Sequence, residues 1–380
     1  MNTQKRSFRS SFFCKKNEMK NIYQIGAGMV GSAMAIDLSK NHNLFLADYD
    51  LNALKTIQSK NSNIQISQLD VTDSKALSEW IAPADIVLLA VPGFLGYKAL
   101  ETIINSGKNV VDISFSPENI LDLNPLAVEK GVTVIVDAGV APGIPNYLLG
   151  YWDAQLNIES FEYYVGGLPK HPQPPFNYKA PFSPIDVIEE YTRPARMLVD
   201  HKIITQPALS DIERMKFEDA GTLEAFNTDG LRSLLSTMNH IPNLKEKTLR
   251  YPGHAELMLE YHNKGLFNDK NIDETSKKLF EAWKLDENEI EFTVLDIIIK
   301  GDMKIITYHL YDEFNLESRT SSMARTTGYT ATASINLILE SLWNDYGVFP
   351  PEMVGVKPEC IQFILQYLSQ RDVVISEKTL

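Results

Sequence analysis

The feature that most constrains this chain is Gly26-Ala27-Gly28-Met29-Val30-Gly31, set between a short apolar run and a helical one. Residues Asn21–Ile25 read as a buried strand, and residues 32–40 carry apolar side chains at helical spacing. Three glycines at this spacing, between strand and helix, form the turn of a dinucleotide-binding βαβ unit. Gly26 permits the tight turn, Gly28 lets the backbone approach a pyrophosphate, and Gly31 lets the helix pack on the strand. The backbone around Ala27, Met29 and Val30 would then face the anion at a helix N-terminus. An acid completes the pattern. Asp48 closes a second strand, 44–47, and lies 22 residues beyond Gly26, where a carboxylate hydrogen-bonds an adenosine ribose. A ribose 2′-phosphate beside it would meet a repulsion of ~4 kcal/mol per charge pair at an effective dielectric of about 20. The predicted cofactor is therefore NAD in preference to NADP.

The alternation continues beyond this unit. Helices are predicted at 51–60, 74–81, 96–105 and 117–130, with strands at 64–69, 85–91, 109–113 and 132–136. Strands alternating with helices imply a Rossmann-type, doubly wound parallel sheet. Near-continuous Val, Ile and Leu in the strands implies that both sheet faces are covered. In such sheets ligands collect outside the carboxyl ends of the strands. Asp70 and Val71 should border the adenine. Val91, Ile113, Ser114, Phe115 and Val140 should surround the nicotinamide and the substrate. Asp112 and Asp137 lie at or near strand ends and are candidate proton carriers.

Charge excludes some partners. The chain has 49 acidic against 36 basic residues, a net charge of −13. That balance repels phosphate backbones and anionic lipid, so neither nucleic acid nor membrane is expected as a partner. The two cysteines, Cys14 and Cys360, stand at opposite ends, and the seven histidines are scattered. No disulfide framework and no metal site is expected, and a reducing, cytoplasmic compartment fits. Residues 1–19 carry five bases against one acid. They are expected to be a disordered extension or an over-long start before Met19, although an Arg-rich, acid-poor segment also resembles a transit peptide.

From about residue 146 the alternation stops. A strand at 161–165 runs into a proline-rich loop. Residues 291–300 and 304–312 flank Gly301-Asp302 as a hairpin. Helices are predicted at 184–191, 254–266, 273–284 and 322–343, the last capped by Ser321. The reading is an α+β domain with a mostly antiparallel sheet. The expected division is a dinucleotide-binding domain at 20–145, a substrate and dimerisation domain at 146–345, and a segment at 346–380 packing back on the first domain. Apolar strand residues 294–299 suggest a homodimer or higher homo-oligomer, because an exposed apolar sheet would aggregate.

Several stretches of the second half form a recognisable set: Asp137-Ala138-Gly139-Val140-Ala141-Pro142-Gly143, Tyr164-Val165-Gly166-Gly167-Leu168-Pro169, Phe182-Ser183-Pro184, residues 222–226, residues 247–256, Met323-Ala324-Arg325 and residues 346–352. With the glycine motif, they resemble the saccharopine dehydrogenase family over nearly the whole chain from Met19. Within that family the likeness is greatest to the lysine 6-dehydrogenase branch. The resemblance implies an NAD-dependent oxidoreductase that deaminates the lysine ε-amine to allysine and ammonia. Glutamate-forming saccharopine reduction is the alternative on the same fold, and a non-catalytic NAD-binding sensor is the alternative from another class. Two departures count against the saccharopine branch. Ala141 stands where that branch carries a substrate-contacting aspartate, and Ile185-Asp186 stand where it carries an arginine for a substrate carboxylate.

Oxidising an amine requires it to be neutral as hydride leaves, and then requires help for water to add and ammonia to depart. A free lysine ammonium has a pKa of ~10.4, so a proton acceptor or high pH is needed. His254 is the first candidate carrier, with Asp112 and Asp137 behind it. Its other reading is a surface histidine that caps the helix starting there. Arg250, then Arg325, are candidates to hold the α-carboxylate, and Glu224 or Asp229 the α-ammonium.

Overall fold

The computed structural model describes residues 18–286 and 289–379. Cys14 and all but the last two residues of the basic N-terminal segment lie outside the described residues. The first six strands are β1 (Asn21–Ile25), β2 (Asn43–Asp48), β3 (Gln65–Gln68), β4 (Ile86–Leu89), β5 (Val110–Asp112) and β6 (Thr133–Ile135). They pair in parallel in the order β3-β2-β1-β4-β5-β6. The order reverses at β1/β4, the switch point where a doubly wound sheet opens a crevice. The helices fall where predicted, with small boundary shifts. Ser74–Ile81 is helical throughout, its N-terminus capped by the Asp73 carboxylate, which accepts from Lys75 N and Ala76 N. Two helices start early, at Met29 and at Gly93, because their glycine turns lead directly into the first helical turn.

The second half contains β7 (Ile158–Pro169), β8 (Ala195–Val199), β9 (Lys202–Gln206), β10 (Glu213–Phe217), β11 (Gly221–Asn227), β12 (Asn243–Arg250), β13 (Glu291–Gly301) and β14 (Lys304–Glu313). β13 and β14 form the predicted hairpin, in register from Phe292–Glu313 to Gly301–Lys304. The chain ends with β15 (Gly347–Phe349) and β16 (Ile375–Thr379). The second sheet runs β10-β11-β12-β7-β13-β14-β16, with β8 on β12 and β9 on β8. Only the central β12–β7 pair is parallel. The terminal segment divides between the sheets. β15 extends the parallel sheet beside β6, whereas β16 leaves that domain and pairs with β14.

Helix Ser322–Leu339 ties the halves together. Ser321 caps it by accepting from Ala324 N. It packs against helix Met29–Leu38 on one side and β13 on the other, and nearly all of it is buried. Thr332 donates to the buried Asp37 carboxylate at 2.8 Å, and Tyr367 and Arg371 complete that anion's shell.

One expectation is corrected. Val294, Leu295, Ile297 and Ile299 are all at most 1% exposed within the single chain. Leu295, Ile297 and Ile299 pack in the core that helix Ser322–Leu339 covers, and Val294 packs in a separate core on the opposite face, so the exposed apolar sheet expected there is not found. Among the described residues, no helix is long and apolar enough to cross a membrane.

Candidate active site

A cavity of about 370 Å³ lies between the two sheets. Its floor on one side is the glycine turn and the carboxyl ends of β4 and β5. Gly28, Met29, Val30 and Gly31 line it, as do Val91, Ile113, Phe115 and Val140.

The turn is built to leave backbone donors free. Gly26 has φ +108°, and a Cβ there would sit 2.1 Å from Ala90 O. Helix Met29–Leu38 begins after Gly28 with no side-chain cap, so its first amides have no protein acceptor from that residue. The buried Gln24 props the turn from below, donating to Gly26 O at 2.9 Å and Gly31 O at 2.7 Å. Asp48 accepts from Ala27 N at 2.6 Å and Asp50 N at 2.7 Å, which fixes its carboxylate above the turn. The Ala27 amide is thereby committed to Asp48 and does not face a ligand, a correction to its expected role. These residues fit a dinucleotide: an uncapped helix start for the pyrophosphate, and a fixed carboxylate for the ribose. Asp70 and Val71 lie outside the cavity. The exposed Asp70 accepts from both the amide and hydroxyl of Thr72.

The opposite wall comes from the mixed sheet. Residues alternate faces along a strand, so β12 presents Glu246, Thr248 and Arg250 to the cavity, and β7 presents Tyr163, Val165 and Gly167. Helix Pro184–Thr192 and its surroundings add Asp186, Glu189, Glu190 and Arg193. The loop after β11 adds Thr228, Asp229 and Gly230.

The predicted site residues separate sharply. Asp137 lines the cavity and is held by Arg232, with Nε–Oδ2 at 2.9 Å. Arg232 also donates to Ser116 O and lies over the Phe115 ring, 4.2 Å from its centroid. It thus latches the second half of the chain to the first. Asp229 also lines the cavity, but Arg196 occupies its carboxylate. Arg250 lines the wall, yet its guanidinium donates to Tyr191 Oη, Leu249 O, Tyr178 Oη and Glu190 Oε2, the last at 2.5 Å. With these donors committed, its expected role as a free carboxylate anchor is corrected to holding Glu190.

Five other expectations are also corrected. His254 is neither a surface residue nor a cavity residue. It is fully buried behind Arg250, between Tyr191 Oη at 2.9 Å and Phe176 O at 2.7 Å. Burial and the nearby Arg250 charge push its pKa down to about 3, so it stays neutral and cannot shuttle protons to a substrate it does not meet. Glu224 caps the helix starting at His254, accepting from Gly253 N and Ala255 N. Arg325 is buried against Asp312, away from the cavity. Asp112 is fully buried outside the lining, and Ser114 N donates to it; burial pushes its carboxyl up to about 7. Ser114 is 1% exposed and packs against Gly96 of the helix above, which seals it from the cavity.

Sequence reasoning missed Glu246, Glu190, Asp186, Arg193 and Arg232. Glu246 had one legible signal, the period-two pattern Glu246-x-Thr248-x-Arg250. That signal is masked by the Lys, Glu and Arg content of residues 243–250, which resembles an exposed segment. Burial pushes the Glu246 carboxyl up to about 8 and Asp186 up to about 6. Six carboxyl groups therefore line the cavity against two guanidiniums, and both guanidiniums are already paired: Arg250 with Glu190, and Arg193 with Glu189.

Comparisons agree with this architecture. Residues 22–135 match the model of the saccharopine dehydrogenase NADP binding domain, and residues 139–374 that of the saccharopine dehydrogenase C-terminal domain. The chain is 27% identical over 278 residues to a Saccharomyces cerevisiae protein named saccharopine dehydrogenase [NADP(+), L-glutamate-forming], covering 70% of this chain and 62% of that one. It is 25% identical over 271 residues to mitochondrial alpha-aminoadipic semialdehyde synthase of Mus musculus, covering 67% of this chain and 29% of that protein. The chain thus matches less than two thirds of the length of these relatives. Its fold resembles the apo structure of S. cerevisiae saccharopine dehydrogenase (L-Glu forming), with a TM-score of 0.77, 22% identity, and coverage of 95% of this chain and 100% of that one. The glycine-turn domain and the mixed-sheet domain that faces it both carry this one family's signature, and the chain belongs to the saccharopine dehydrogenase family.

Proposed function

We propose that the protein is a nicotinamide-dinucleotide-dependent oxidoreductase acting on a carbon–nitrogen bond in lysine metabolism, and that its reaction is oxidative deamination of the lysine ε-amine. The observation that carries this reading is the charge of the cavity. A substrate with several carboxylates would find no unpaired cation among the lining residues, whereas an ammonium would find carboxyl groups without cationic partners. Ala141, standing where the saccharopine branch described above carries an aspartate, and Ile185-Asp186, standing where it carries an arginine, support the same choice.

A nicotinamide held in the cavity would supply a hydride acceptor for the substrate carbon. The uncapped start of helix Met29–Leu38 would hold its pyrophosphate, and Asp48 its adenosine ribose. Among the described residues no basic side chain bonds Asp48; its partners are backbone amides. That supports NAD over NADP, although the yeast relative's name specifies NADP(+). The apolar residues Val91, Ile113 and Val140 exclude water from the face where the rings would meet. Asp137, buried and fixed by Arg232, lines the cavity between the two halves.

The test is a substrate panel of lysine, cadaverine, saccharopine and other amino acids, each with NAD⁺ and NADP⁺, followed by absorbance of the reduced nicotinamide. Lysine with NAD⁺ is expected to be turned over best. The relatives' names motivate a second reading, glutamate-forming cleavage of saccharopine. Preferential turnover of saccharopine with NADP⁺ would establish it and discard the first.

A further inference from the structure

Each cavity carboxylate except two has a cation of its own. Arg232 holds Asp137, Arg196 holds Asp229, Arg193 holds Glu189 and Arg250 holds Glu190. Asp186 sits partly exposed in the first turn of helix Pro184–Thr192, with the Ser183 side chain and the Arg193 charge partly offsetting its burial. Glu246 is different. It is 4% exposed, it lines the cavity, and among the described residues its hydrogen-bond donors are neutral: Thr228 Oγ1 at 2.7 and 2.8 Å, and Gly230 N at 3.0 Å. The carboxyl lies flat on the Gly230 backbone, where a Cβ would fall 2.7 Å from its Cδ. It is therefore held in one place. A buried carboxylate with only a hydroxyl and an amide is undercompensated, and needs either a proton or a cation.

We propose that Glu246 receives the reacting ammonium of the substrate and takes its proton, leaving the amine neutral. This rests on the amine-oxidation reading above. The transfer is balanced within the pair: the N–H bond of R–CH₂–NH₃⁺ breaks, an O–H bond forms on the carboxylate, and R–CH₂–NH₂ and the carboxylic acid result. Burial is the main cause of its basicity, and the groups facing Glu246 add to it. Glu190 from helix Pro184–Thr192 and Asp229 from the loop after β11 both add negative potential, and Tyr163 of β7 is held neutral by the same burial. Arg250, four residues along the strand, is spent on Glu190.

The test separates Glu246 from the reaction itself. Lysine is titrated calorimetrically into the wild-type protein with NADH at pH 7, in buffers of different ionisation enthalpy. Below its pKa of about 8 Glu246 starts protonated, so ammonium binding should expel close to one proton. Glu246→Gln should expel none while binding NADH within about threefold of wild type. If wild type turns lysine over, Glu246→Gln should also lower kcat by roughly 10²–10⁴-fold and remove the limb of the pH–rate profile near 8. Should the glutamine variant lose NADH affinity through misfolding, Glu246→Asp decides: proton expulsion must persist in it. Proton expulsion absent from wild type, or unchanged in Glu246→Gln, overturns the assignment. Wild type that expels the proton but oxidises no amine refutes the proposed reaction and leaves the ammonium site standing.

Discussion

At the parallel sheet the ligand face is made of backbone; at the mixed sheet it is made of side chains. The glycine turn offers amides, a helix start and one fixed carboxylate, and its geometry tolerates no Cβ at Gly26. Across the cavity, β12 and helix Pro184–Thr192 offer carboxyl groups and guanidiniums whose charges are set by one another. The first wall recognises what every dinucleotide shares. The second differs in leaving one buried acid, Glu246, without a cation.

That contrast can be broken from either side. The largest effect should come from Gly26→Val, which drives a side chain into the Ala90 carbonyl. NADH fluorescence titration should show an affinity loss beyond about 100-fold, or about 2.8 kcal/mol. Near-normal binding would show that the backbone cradle is not the dinucleotide site. Next is Arg250→Met, which leaves the partly exposed Glu190 carboxylate without its guanidinium at a cost of about 1–2 kcal/mol in stability. Because the guanidinium is already committed, kcat/KM for lysine and cadaverine should fall together. A loss confined to lysine would restore Arg250 as the carboxylate anchor. Asp48→Ala should be milder, narrowing the preference for NAD over NADP by about tenfold in kcat/KM. An unchanged ratio would place cofactor choice elsewhere.

The last effect, absent near neutral pH, is on pH-dependent stability. The His254 pKa is about 3 in the folded chain against about 6.5 when unfolded. Below pH 6.5 the unfolded chain takes up a proton that the folded chain refuses, so stability is lost as pH falls from 6.5 toward 3. Thermal melts of His254→Gln should therefore show a shallower decline over that range than wild type. Parallel curves would show that the imidazole titrates normally.

The first wall was legible in the sequence, and the second largely was not. The glycine turn, Asp48 and the β-ends carrying Val91, Ile113 and Val140 are local: strand, turn and helix are neighbours in the chain, so spacing alone positions them. The hairpin around Gly301 and the Ser321 cap were legible for the same reason. β12 was not, because its partners β7 and β11 come from distant stretches, and its pattern of Lys, Glu and Arg looks like an exposed segment. His254, Glu224 and Arg325 stood in the right motifs but face the wrong way. Sequence proximity to a motif says nothing about which side of a strand or helix meets the cavity.

By itself, the sequence determined the parallel sheet, the dinucleotide cradle and the change of architecture near residue 146, since each follows from hydrophobic period, turn chemistry and charge over short spans. Only the tertiary structure decided which charges remain uncompensated. Pairing is a property of side chains brought together from separate elements: Asp137 with Arg232, Asp229 with Arg196, Arg250 with Glu190. Glu246 differs from these acids because folding supplied it with a hydroxyl and an amide where the others received an arginine. In a buried site that difference fixes whether a carboxyl is a spent ion-pair partner or an open proton acceptor.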